Sequence, residues 1–405
     1  MGYEKDRMMQ EQGWGFRDGH ICYRCVTEPY LHEMVRGDAS EYDCSFCGKS
    51  SRKAPISIPF NDLMEVIGGA ISQYFDRAVN CLGYCSAEGG YLGTTYQSYD
   101  IVRDEIPTVS ENEEVLDAII DSLGDEIWCD QDPYSLSRLD SYNISWENFC
   151  KTVKHSIRYF FDSEDVSDEY SETIPVPRML AELRDIIDRA GLISSLPLGT
   201  SFFRVRVHKP EEVCENWRPL GSPPAEAAVS GRMSAAGISV FYAALDMNTA
   251  KAETIASLDA TDERIMTGAM WTNTRPLNVL DLSKLPKPPS FYAQARYDRD
   301  HLMFLREFVE SITLPVQHDD REHIDYVPSQ IVTEYFRHRY TLPDKSRLDA
   351  IVYPSAQHVR GRAIVIFASQ DDLDPSPREW GGDHTPILKL DQASICSLRK
   401  SRRKH

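Results

Sequence analysis

Four cysteines near the start of the chain constrain it most: Cys22-x2-Cys25, eighteen intervening residues, then Cys44-x2-Cys47. Each knuckle can turn two thiolates toward one point. Two knuckles at this spacing predict a closed tetrahedral zinc site, a small zinc ribbon. A four-sulfur site leaves no open coordination position, so it is expected to fold the segment and not to catalyse. Gly48, directly after the second pair, suits the positive φ that a knuckle turn needs. The other six cysteines, Cys81, Cys85, Cys129, Cys150, Cys214 and Cys396, show no such grouping and are expected to be mostly buried thiols.

With 405 residues the chain has material for two or three domains, and 41% apolar and 26% charged residues is a globular composition. Lys+Arg 44 against Asp+Glu 63 gives a net charge of −19. That balance argues against a nucleic-acid partner held over a broad surface and leaves room only for a local basic groove. No apolar run reaches 18 residues, so no membrane span is expected. The opening MGYEKDRMMQEQGWGF has no apolar export core, and Asp6 stands where myristoylation requires Ser or Thr. A cytoplasmic protein is expected. Gly48-Lys49-Ser50 is not a phosphate-binding loop, because Asp43 occupies the place of its first glycine, and no GxGxxG occurs.

The middle of the chain reads as helical. Leu63, Val66, Ile67, Ala70, Ile71, Tyr74 and Phe75 recur at helical spacing behind Asn61. Further helices are predicted over Glu113–Ser122, from Trp146 to Phe160, and over Pro177–Ala190, with Cys81–Tyr99 and Asp162–Glu172 as loops. Residues 101–150 hold thirteen Asp or Glu against two Arg, a net of −11, which reads as a solvated acidic face.

After Gly191 short β-rich runs appear: Ser201–Val207, Ile238–Ala243, Leu277–Leu282, Ala350–Tyr353 and Ala363–Phe367. Helices are predicted between them over Thr249–Leu258, Arg299–Ser311 and Ser329–Arg339. The expected fold class is α+β: zinc ribbon over 1–55, helical domain over 56–192, a mixed α/β domain over 193–385, and a basic tail over 386–405.

Polar residues at strand ends and helix starts are the candidate site. Arg204 lies inside an apolar strand, where a guanidinium needs an anion. Arg206 alternates onto the same face, and Arg232 follows Gly231 in a turn. Glu253 lies on a helix among small residues, and Ser355 ends a strand. No GxSxG surrounds Ser355, so it is not read as an acyl nucleophile.

The run Gly231–Glu253 (GRMSAAGISVFYAALDMNTAKAE) resembles the core motif of the RES domain, named for an Arg, a Glu and a Ser. Arg204 in Phe203-Arg-Val-Arg206, Glu253, and Ser355 in Tyr353-Pro-Ser355 match those three. Pro328-Ser-Gln330 and Asn278-Val-Leu-Asp-Leu282 are similar to further RES landmarks. Met233-Ser234 departs from the aromatic residue and Asn of many relatives. The stretch around Trp146-Glu-Asn-Phe149 and Lys154–Arg158 is similar to the HEPN/RES amino-terminal helical domain. The resemblance implies an architecture like that of ADP-ribosyltransferases and an NAD-consuming toxin that cleaves the nicotinamide–ribose bond by phosphorolysis or hydrolysis. It implies Arg204, Glu253 and Ser355 as catalytic residues, with Arg204, Arg206, Arg232, Tyr242 and Ser355 binding NAD. The implied partners are a cognate antitoxin or a phage trigger and a second copy of the chain. Two rival readings are a HEPN-type ribonuclease, for which Arg296-x4-His301 has the spacing, and a non-catalytic NAD-binding module.

Overall fold

The computed structural model describes residues 13–87, 89–161, 172–255, 264–314, 322–376 and 385–398. They form two compact units: residues 1–140 with 287–301, and residues 141–286 with 302–405. Three of the four paired cysteines share one core with the helices that follow. Cys22, Cys25 and Cys44 pack with Leu31, Leu63, Ile67 and Ile119, so the cysteine segment is not a separate body. The expected boundaries at 55 and 192 therefore do not coincide with the observed units.

In the first unit the helices are α1 (Pro29–Gly37), α2 (Phe60–Ile71) and α3 (Glu113–Leu123). Asn112 starts α3 by accepting the Glu114 N–H at 3.0 Å, as its short side chain allows. α2 begins a residue before Asn61, and the periodic run stops at Ile71 because Phe75–Arg77 is a strand. That strand joins Ile127–Asp130 and Tyr96–Gln97 in a small antiparallel sheet. Part of the expected 81–99 loop is therefore extended and paired.

The second unit opens with α4 (Arg138–His155, from Ser141 on) and α5 (Val176–Arg189). α4 starts eight residues before Trp146 and stops short of Phe160. Residues 162–171, expected as a loop, lie outside the described residues. An eight-stranded sheet follows, from β1 (Ile193–Leu196), β2 (Ser201–His208), β3 (Phe241–Ala244), β4 (Ile265–Asn273), β5 (Leu277–Asp281), β6 (Ala350–Pro354), β7 (Arg362–Ile366) and β8 (Leu388–Leu398). The strand order is β8-β4-β2-β3-β7-β6-β5-β1, antiparallel except for β5 beside β6. The helices among them are α6 (Met247–Ile255), α7 (Arg296–Thr313, which enters this unit at Leu302) and α8 (Val327–His338).

Successive residues of β6 and β7 are buried, Ala350 to Tyr353 and Ala363 to Ile366, which marks central strands covered on both faces. One face carries Phe202, Phe241, Trp271, Val279, Val352 and Ile364. Most of the sequence read as a basic tail from 386 belongs to this sheet as β8. Arg399–Lys404 lies outside the described residues. No helix among the described residues is long and apolar enough to cross a membrane.

Candidate functional site

Three neighbouring elements carry four of the six predicted residues. Arg204 and Arg206 project from β2, Tyr242 from β3, and Glu253 from α6, which packs on both strands. Asp246 starts α6 by accepting the Thr249 N–H at 2.9 Å and its hydroxyl at 2.6 Å, so the helix begins two residues before the expected Thr249. Burial opposes its charge, yet these bonds hold the Asp246 carboxyl below its usual range. Residues 256–258 of the expected helix lie outside the described residues.

Arg204, Arg206, Arg218, Arg232, Tyr242 and Glu253 line one cavity of about 590 Å³. Glu253 is the single carboxylate in that lining among the described residues, against four arginines. Arg204 donates from Nη1 to the Tyr242 carbonyl at 2.7 Å, and its guanidinium lies 5.0 Å from the Phe241 ring centre. Its Nε is buried with no hydrogen-bond partner. Burial, with Arg206 nearby, lowers its pKa to about 10, so it stays charged at neutral pH. A half-buried cation whose Nε is buried and unused calls for an anion, and the cavity provides the space for one.

Ser355 does not line this cavity. Its hydroxyl donates to Glu253 Oε1 in a very short bond and accepts the N–H groups of Gln357 at 3.2 Å and His358 at 3.1 Å. In this arrangement the serine proton is given to the carboxylate of Glu253. Arg204 on β2 and Glu253 on α6 thus share one cavity, and Ser355, just after β6, is bonded to Glu253 from behind it.

Arg206 donates to the Pro219 carbonyl and lies 3.8 Å from Glu212. Arg232 donates to the carbonyls of Leu314 at 2.8 Å and Ile312 at 3.4 Å, closing the C-terminal end of α7. Tyr242 turns its ring to the cavity, but its hydroxyl accepts the Met233 N–H at 2.9 Å and meets the Ser234 hydroxyl at 3.1 Å. Burial pushes its phenol up. Met233 is buried, with the Thr333 hydroxyl 3.2 Å from its sulfur. The departure at 233–234 therefore bears on the packing and bracing of the turn.

Sequence reasoning did not assign Ser329 and Gln330 a role. Ser329 Oγ donates to the Arg232 carbonyl at 2.6 Å. Gln330 Nε2 donates to Ser230 Oγ at 3.0 Å, the Gly231 carbonyl at 2.8 Å and the Ser234 carbonyl at 3.2 Å. Both are buried at the start of α8 and hold the 230–234 turn. The signal was the Ser-Gln pair behind a proline at a helix start, where donors can reach a neighbouring loop. Tyr353, also on the cavity, has its phenol raised by burial and by the nearby Tyr242 and Glu253.

Family models match this chain twice: HEPN/RES N-terminal domain 1 over residues 37–167 and the RES domain over residues 202–390. The chain is a RES-domain protein. No curated protein and no solved structure matches it. All of Arg204, Arg232, Glu253 and Ser355 fall within the RES match.

In the first unit the four predicted cysteines meet. Sγ separations are 3.7 Å for Cys22–Cys25, 3.7 Å for Cys22–Cys47 and 3.8 Å for Cys25–Cys44, and all four atoms lie within 4.8 Å of one another. A tetrahedron of metal–sulfur bonds about 2.3 Å long has edges of about 3.8 Å, so the set could hold a metal ion. Burial raises the Cys22 and Cys25 thiols. Desolvation acts against Cys47 too, but the Lys49 N–H and the neighbouring thiols hold it down to about 7. Of the remaining cysteines Cys129 and Cys214 are buried, whereas Cys396 is exposed.

In the ribonuclease spacing Arg296-x4-His301 only the arginine reaches solvent, and it does so in part. His301 is buried against Tyr297, and Arg296 is taken up by Gln73 and Gln131 while stacking on Tyr74.

Proposed function

We propose that this RES-domain protein consumes NAD by breaking the bond between nicotinamide and ribose, and acts as a toxin by depleting the dinucleotide. One observation carries the reading: a lone carboxylate, Glu253, shares a cavity with four arginines, one of which has a buried and unpartnered Nε. That is the charge pattern of an anionic substrate that develops a positive charge during reaction.

The glycosidic electron pair leaves with nicotinamide, which departs neutral from a cationic pyridinium, and the ribose passes through an oxocarbenium-like state. Glu253 stabilises that charge and holds a ribose hydroxyl. Ser355 keeps the carboxylate aimed, because its hydroxyl is itself fixed by two backbone N–H groups. Arg204 and Arg232 hold the diphosphate or an incoming phosphate. Arg206, already engaged at the rim, adds field more than direct contact. The Tyr242 ring offers an aromatic face to nicotinamide. A new bond then forms to the ribose carbon from an oxygen of water or of inorganic phosphate. For the four cysteines we infer zinc, which would cross-link the segment and take no part in this chemistry. A toxin of this kind requires restraint, so a cognate antitoxin or an external trigger is inferred with it.

The purified full chain incubated with NAD should release nicotinamide, measured by chromatography with and without phosphate. Glu253→Gln should lose at least about a hundredfold of the rate while keeping its fold. NAD left intact under both conditions would overturn the proposal.

A further inference from the structure

The chain-wide charge of −19 hides a local reversal beside the cysteine site. A cavity of about 710 Å³ is lined by Cys22, Tyr23, Arg24, Arg36 and the segment 49–56. That lining contains five cations, Arg24, Arg36, Lys49, Arg52 and Lys53, and no carboxylate. All five are exposed. The ion pair found for them is Arg36 with Glu33 at 3.8 Å, between two largely exposed side chains, a contact of little worth.

The cations sit on a fixed frame. The Cys44 N–H donates to the Lys49 carbonyl at 2.9 Å, and Gly48, at φ 66°, returns its N–H to the Cys44 carbonyl at 3.0 Å. The Ser51 N–H donates to the Tyr42 carbonyl at 2.8 Å, and Ser51 Oγ accepts from Lys53 and Ala54, each at 3.3 Å. The loop that carries Lys49, Arg52 and Lys53 is thus tied to the second cysteine knuckle.

We propose that this cleft binds the phosphate backbone of a nucleic acid, independently of base sequence. Five cations spread around one open cleft suit a polymer with regularly spaced anions. A single phosphate would leave most of them unmatched. Screening confines each charge to about 8–10 Å, so the acidic remainder of the chain does not cancel the local field. Contacts that neutralise phosphates position a strand without reading it, which fits a cleft lined by Arg and Lys with few neutral donors.

The test is fluorescence anisotropy of the purified full chain with a labelled random-sequence 20-mer, single- and double-stranded, from 50 to 200 mM salt. Binding should weaken with salt at a slope of about −2 to −4 in log K against log salt, the signature of three to five phosphates. The surface double variant Arg52→Glu/Lys53→Glu should lose at least about tenfold in affinity. Lys151→Glu, a single charge reversal at an exposed helix position that is not part of the cleft lining, should lose far less. Nicotinamide release, if present in the parent chain, should be unchanged in the double variant. Absence of binding at 50 mM salt overturns the proposal. So does equal loss in Lys151→Glu, displacement by millimolar inorganic phosphate at constant ionic strength, or tighter binding of a poly-glutamate peptide than of either 20-mer.

Discussion

Arg204 is the residue whose physics is least compatible with a purely structural role. It keeps a half-buried charge with one carbonyl bond and one aromatic face, and leaves a buried Nε unused. Its depressed pKa means the unfolded chain holds that proton more tightly than the folded one, so the charge costs stability at every pH below about 10. The cost declines as pH rises from about 10 toward the unfolded value. Arg204→Met should therefore raise the melting temperature of the ligand-free protein by about 2–4 °C. It should also abolish the stabilisation that NAD or phosphate gives the parent, both read by thermal denaturation. Ser355 makes a different prediction. Ser355→Ala removes the donor that orients Glu253, so kcat should fall about ten- to a hundredfold with KM little changed. Ser355→Thr should recover part of the loss, which a merely structural contact would not predict.

At the scale of elements the deciding feature is the turn 230–234. A turn bearing a cavity arginine has to be held from outside, and the start of α8 does so through Ser329 and Gln330. Gln330→Ala removes three bonds from one buried amide and leaves two backbone carbonyls short of a donor. A stability loss of about 1–3 kcal/mol is expected by denaturant titration. A rise in KM for NAD should accompany it, since Arg232 loses its fixed position. Gly231 has a related constraint: a Cβ there would come 2.8 Å from the Tyr242 hydroxyl. Gly231→Ala should therefore disturb the same turn and raise KM in the same direction. Gly361 is closed in likewise, by Thr249 and His358 at the loop that follows Ser355.

For the whole molecule, the metal proposed for the cysteine cluster would act as a folding device. Three of its thiols are core residues of the first unit, so losing the metal exposes α1, α2 and α3 to local unfolding. Treatment with a strong chelator should remove about one zinc per chain by elemental analysis, and Cys44→Ser should lower both metal content and melting temperature. Ligand thiols must shed protons to bind, so metal affinity should fall as pH drops from 8 toward 6. A metal-free protein that melts like the parent would refute this role.

The candidate site residues were legible in one dimension because each violates its local context: Arg204 within an apolar strand, Glu253 among alanines, four cysteines in two spaced pairs. Strands β2, β5, β6 and β7 were legible because β-branched and aromatic runs announce themselves. β4 and β8 were not. β8 alternates polar residues along an edge, and its place depends on backbone pairing with β4, including the Ser394 hydroxyl that accepts the Met270 N–H at 2.8 Å beside a register shift. Such pairing leaves little trace in composition, because the ladder uses main-chain groups common to every residue. Tertiary structure alone decided that Ser355 stands behind Glu253 and not on the cavity, that Tyr242 spends its hydroxyl on a turn, and that five cations gather at one cleft of an acidic chain. Local pattern tells which groups are costly to bury or leave unpaired; only the folded path of the chain determines which distant partner, or which empty space, each of them meets.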